Sequence, residues 1–72
     1  MKDERNLILA RNIKAERYRK NYTQSQLAEK VNASESTIRI LERGLQTTSI
    51  FLIYDIAKTL QIDINELLKN IP

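Results

Sequence analysis

The sequence contains neither cysteine nor histidine. That removes disulfides, thiolate nucleophiles, imidazole bases and nearly all zinc chemistry together, and it implies no secretory or redox setting. Glycine occurs once, at Gly44, too sparse a supply for a phosphate-cradling loop. Long apolar runs are also missing. The longest, "SIFLIYDIA", is broken by Asp55 and falls far short of the roughly 20 residues a membrane span needs. The opening "MKDERNLILARN" sets acidic residues among its basic ones and has only a brief apolar stretch, so it does not read as a signal peptide. A cytoplasmic location without membrane contact is the expectation.

What is present is a globular composition: 42% of the 72 residues are hydrophobic and 29% are charged, unlike a disordered chain. This length predicts one domain, residues 1–72, near the lower limit for a single apolar core and with little room for an enclosed active site. The net charge of +3 is unevenly spread, with ten basic and six acidic side chains in residues 1–44 but two and three in residues 45–72. A basic N-terminal part suits a polyanion, although a solvated helix surface carries charge in the same way.

Every segment has helical character. A first helix is expected from near residue 3 to Lys20, with Leu9, Ile13 and the stem of Arg17 on one face and Asn21 in a left-handed terminating position. Thr23 and Gln26 form a capping-box pattern that starts a second helix of about eight residues at Gln24, with Leu27 and Val31 apolar and small Ala28 at a close crossing. Asn32 can take positive φ and Ser34 can cap, so the turn to the third helix, "ESTIRILER", is tight. Gly44 closes that helix. A fourth helix is expected over about 49–60 with Ile50, Ile53, Ala57 and Leu60 inward, and Asp63 with Glu66 caps a last short helix reaching about Lys69.

The stretch "STIRILER" poses one puzzle. Ile38-Arg39-Ile40 alternates like a strand, whereas Ile38 and Leu41 share a helical face that leaves Ile40 pointing away beside Ser36, Arg39 and Arg43. The twenty residues from Gln24 to Arg43 meet the needs of a helix-turn-helix: a small residue at the crossing, a short turn, and two apolar anchors under the second helix. In that motif the first helix braces across a duplex and the second lies in the major groove.

At this point the chain resembles a known family. "TQSQLAEKVNASESTIRILERG", preceded by "IKAER" and followed by "IAKTLQIDINELL", is similar to the Cro/repressor-type (XRE) transcription regulators of bacteria and phages, over about residues 7–69. Two departures touch the loops: Asn32 stands where the family usually has glycine, and "LQTTS" lacks a frequent proline. The resemblance implies an all-α, compact five-helix lambda-repressor-like domain with a central helix-turn-helix. It also implies base-edge positions at Glu35, Ser36 and Ile40, phosphate positions near Gln24 and Thr37, and a partly buried salt bridge between Arg17 and Glu42 that belongs to the scaffold.

The chemistry of the side chains adds detail. Ile40 can meet a thymine methyl, or be an ordinary surface isoleucine. Arg39 can reach guanine, a phosphate or only water. Glu35 either accepts from cytosine N4 or pairs with Arg39 one turn on. Ser36 and Thr37 are candidate polar contacts but also ordinary first-turn residues. Gln24 sits where a helix start can face a phosphate, and Lys14, Lys20 and Arg43 are weaker phosphate candidates. Phe51 and Leu52 fall outside the core face of the fourth helix; with Ile71 they suggest a homodimer or partner interface, unless Phe51 packs on the chain's own tail.

The leading expectation is therefore a sequence-specific regulator of double-stranded DNA, acting as a dimeric repressor on a pseudo-palindromic operator. A protein-interaction module of antitoxin-like or antirepressor-like kind is the alternative. An enzyme is the least supported, and no metal or cofactor is expected.

Overall fold

The computed structural model describes residues 3–46 and 48–72. Among the described residues five helices follow in order: α1 Glu4–Arg19, α2 Gln24–Lys30, α3 Glu35–Arg43, α4 Ile50–Leu60 and α5 Ile64–Leu68. Thr47, inside the expected "LQTTS" loop, lies outside the described residues.

Each start has its own cap. Asp3 accepts from the Arg5 N–H at 2.8 Å and from the Arg5 guanidinium at 3.0 Å, and these bonds hold its carboxyl below the ordinary aspartate range. Thr23 accepts from the Gln26 N–H at 3.0 Å while the Gln26 side chain accepts from the Thr23 N–H at 2.9 Å, the full capping box. Ser34 and Ser49 accept from the N–H groups of Thr37 and Leu52. Asp63 caps α5 through Asn65, but the reciprocal arm expected of Glu66 is spent on Lys69, 3.6 Å away, so this box is only half formed.

The breaks between helices come from left-handed residues. Asn21, Asn32 and Gln61 have φ of 62°, 58° and 58°, and Gly44 has 71°. At the α2–α3 turn the Ala33 N–H returns to the Ala28 carbonyl at 2.9 Å, so the chain reverses within a few residues. A turn that short fixes how α3 sits against α2.

Ile13, Leu27, Ile38, Ile56, Leu60 and Leu67 are fully buried and tie all five helices into one core. Two expectations for α4 are corrected. Ile50 is exposed rather than inward: it is the first residue of α4, at the end of the face that buries Ile53, Ile56 and Ala57. Leu52, expected at a surface, is half-buried and packs on the core. The exposed apolar set of α4 is therefore Ile50, Phe51 and Tyr54, with Phe51 77% accessible and so unpacked against the chain's own tail.

Buried polar side chains serve the same packing. Asn12 donates to the carbonyls of Leu67 and Lys69, both at 2.9 Å, which fastens the end of α5 to α1. Nothing in the local sequence marks this residue, whose partners lie more than fifty positions away. Buried Glu16 pairs with Arg19 at 3.1 Å.

Candidate nucleic-acid interface

The outward side of α3 is built by its own periodicity. With Ile38 and Leu41 buried, Glu35, Ser36, Thr37, Arg39, Ile40 and Arg43 are all exposed. The strand-like alternation in "STIRILER" is thus a helix with one apolar residue turned outward. Ile40 is at the margin of exposure, beside a groove that Gln46, Thr48 and Ser49 also line.

Arg39 does not make the expected pair with Glu35. Its Nη2 donates instead to the Ser36 hydroxyl at 3.0 Å, one residue closer along the chain. Glu35 lines a basin beside α1 and α2 that Lys14, Tyr18, Asn21, Gln24 and Ser25 also line. Thr37 shares a 2.8 Å hydroxyl contact with Ser34, so its Oγ1 helps to hold the start of α3.

Behind this face lies a charged clamp. Arg17 donates from Nε to Glu42 Oε2 at 2.7 Å, from Nη2 to Glu42 Oε1 at 2.9 Å, and from Nη1 to the Tyr22 carbonyl at 2.8 Å. Both side chains are nearly sealed from solvent, at 6% and 3% accessible. The Glu42 hydrogen bonds hold the Arg17 pKa above its ordinary value against the opposite pull of burial. Gln24 Nε2 adds a third donor to Glu42 at 3.1 Å, so one amide hydrogen of this phosphate candidate is used inside the protein. One carboxylate at the end of α3 is thereby bonded to α1 and to the start of α2, which fixes the three helices relative to one another.

The basic candidates divide. Lys14 shares the basin with Glu35, at the end of α3 that enters a groove in helix-turn-helix docking. Lys20 lines instead an adjoining hollow with Gln26, Glu29 and Lys30, which meets that basin at Asn21 and Tyr22. Arg43 is exposed at the other end of α3. Among the described residues no group of three or more His, Cys, Asp or Glu side chains could hold a metal ion, and no helix is long and apolar enough to cross a membrane. Tyr18, 62% exposed with its ring 4.5 Å from the Arg17 guanidinium carbon, was not singled out by the sequence; its neighbour Arg17 was the only hint.

The chain is similar to known helix-turn-helix proteins. A helix-turn-helix family model matches residues 13–67. The restriction-modification controller protein C.AhdI from Aeromonas hydrophila is 25% identical, with 90% of this chain and 98% of that one aligned at a TM-score of 0.86. SinR, described as the master regulator for biofilm formation and solved in complex with DNA, is 34% identical over 85% of this chain and 98% of its own, with a TM-score of 0.78. A SinR/SinI protein complex matches at 33% identity, 86% and 61% coverage and a TM-score of 0.80. The comparison with curated proteins produced no significant match.

Proposed function

Because the chain belongs to the Cro/repressor-type (XRE) helix-turn-helix family of transcription regulators, we propose that it is a sequence-specific DNA-binding repressor that holds a pseudo-palindromic operator as a homodimer. The whole chain, residues 1–72, acts as the binding unit, in the cytoplasm and with no catalytic role. The observation that carries this reading is the exposed polar face of α3, set on a helix pair that the Arg17–Glu42 clamp holds rigid.

On this reading Glu35, Ser36, Arg39 and Ile40 meet base edges in the major groove. Gln24, Thr37, Arg43, Lys14 and Lys20 meet phosphates and supply most of the salt-sensitive affinity. Lys20 is the one of these that lies beside acidic Glu29, which weakens its attraction for a phosphate. The exposed Ile50, Phe51 and Tyr54 offer an apolar surface for the second copy, with half-buried Leu52 and Ile71 at most at its margin.

Selection from a random duplex library with the purified protein tests the proposal directly. The expected result is an enriched inverted repeat with half-site centres about one duplex turn apart, roughly 34 Å. Ile40→Ala should then change the preference at one base pair of each half-site by about 1–3 kcal/mol, through loss of a methyl contact. An equal loss on every sequence would reject that role for Ile40.

The apolar patch on α4 favours one further reading, a protein-interaction module in which Phe51 anchors a different protein. SinR itself is known in complex with the SinI protein as well as with DNA. A folded protein that enriches no duplex yet binds a protein partner stoichiometrically would move the conclusion to that reading.

A further inference from the structure

Tyr18 is an exposed aromatic residue with a defined position. Its ring lies 4.5 Å from the Arg17 guanidinium carbon, within the range of a cation–π contact, while Glu42 and the Tyr22 carbonyl take hydrogens from all three guanidinium nitrogens. Arg17 is therefore bonded at every guanidinium nitrogen, and the ring rests on that anchored group although it is 62% accessible. The same ring helps to line the basin shared by Lys14, Gln24 and Ser25 with Glu35, the first residue of α3.

Resting on the DNA-binding reading above, we propose that Tyr18 is a backbone-contacting residue of the interface, its hydroxyl donating to a phosphate oxygen of the strand that flanks the half-site. With α3 in the major groove, the Glu35 end points toward base edges and the basin beside it opens toward the adjoining sugar-phosphate strand. Charge alone holds a phosphate weakly there, because the Glu35 carboxylate opposes the Lys14 ammonium and the Arg17 charge is already matched by Glu42. A neutral donor suits such a place: it adds a directed hydrogen bond, and tyrosine is among the side chains that commonly bond phosphates. Arg17 accounts for the ring and, as a donor, for an acceptor lone pair of the hydroxyl, which keeps its own O–H to donate elsewhere.

The test compares wild type, Tyr18→Phe and Lys14→Ala on the duplex recovered by selection and on a scrambled duplex, each titrated at several salt concentrations. Tyr18→Phe keeps the ring on Arg17 and loses only an exposed hydroxyl contact, so its melting temperature should change little. Its affinity should fall by about tenfold or more on both duplexes, as for one hydrogen bond to a charged acceptor. Its salt slope should stay at the wild-type value, because no counterion is released by a neutral group, whereas Lys14→Ala should lower the slope by about 0.9. Wild-type affinity in Tyr18→Phe would overturn the proposal and leave the ring as a cover for Arg17. A loss confined to the selected duplex would also overturn it, since that is base readout. Failure of the DNA-binding reading itself looks different: the wild-type protein would then enrich no duplex at all.

Discussion

Arg17→Ala should destabilise the domain by about 3–5 kcal/mol, the usual cost of removing one partner from a buried ion pair. A 72-residue core seldom has more stability than that to lose, so the variant should be largely unfolded at room temperature. The cause is the partner left behind. The Glu42 side chain is 3% accessible and would keep only the Gln24 amide as a donor, so its charge would stay buried with little compensation. The Tyr22 carbonyl would lose its guanidinium partner as well. Removing both charges together, as Arg17→Met with Glu42→Leu, should recover a large part of the loss, because no unpaired charge then remains. Urea unfolding followed by circular dichroism measures both. A single variant within about 1 kcal/mol of wild type, or a double variant as unstable as the single, would show that the pair is not the clamp described here. The refolded double variant should also keep its operator preference, since neither side chain is on the outward face of α3.

The clamp explains why the reading of α3 from sequence went as far as it did. Local rules were sufficient for the helix starts at Thr23 and Ser34, for the left-handed asparagines at 21 and 32, and for the outward position of Ile40, because each depends on neighbours within four residues. Arg17 and Glu42 lie 25 positions apart, and their pairing was implied by the family resemblance, not by periodicity. Where partners are distant and the family offers no guide, the sequence was silent. Asn12 reads as a plain surface residue inside a helix, yet it closes the C-terminal end of α5.

The errors on α4 and α3 have different physical origins. Periodicity gives the angle of a side chain about its helix axis but not how far the neighbouring helices extend along it. Ile50 has an inward angle but stands at the very start of α4 and is exposed, while half-buried Leu52 reaches the core from the side. At Glu35 and Arg39 the spacing permits an ion pair, but Ser36 lies one residue nearer and Glu35 turns toward the basin with Lys14. For exposed side chains several partners of similar energy compete, and spacing alone does not choose among them.

Gly44→Ala should cost about 2–4 kcal/mol, more than any change on the DNA-facing side. Positive φ by itself does not require glycine here, since Asn21, Asn32, Gln61 and Asn70 all take φ between 58° and 66° with side chains attached. That part of the penalty is about 1–2 kcal/mol. The remainder comes from a close approach: a Cβ built on Gly44 would stand 2.9 Å from the Leu7 Cα, 2.9 Å from its Cδ2 and 3.1 Å from the Asn6 carbonyl oxygen. A side-chain tip can swing away, but Leu7 Cα and Asn6 O belong to the backbone of α1, so the start of that helix must shift to make room. The single glycine of the sequence therefore does two jobs, ending α3 and letting α1 pass close beside that end. Chemical denaturation separates the two terms. A loss near 1 kcal/mol would mean that α1 moves aside freely and only the φ penalty is felt, whereas the larger loss expected here would show that the α1–α3 contact is rigid enough to set the angle at which the recognition helix is presented.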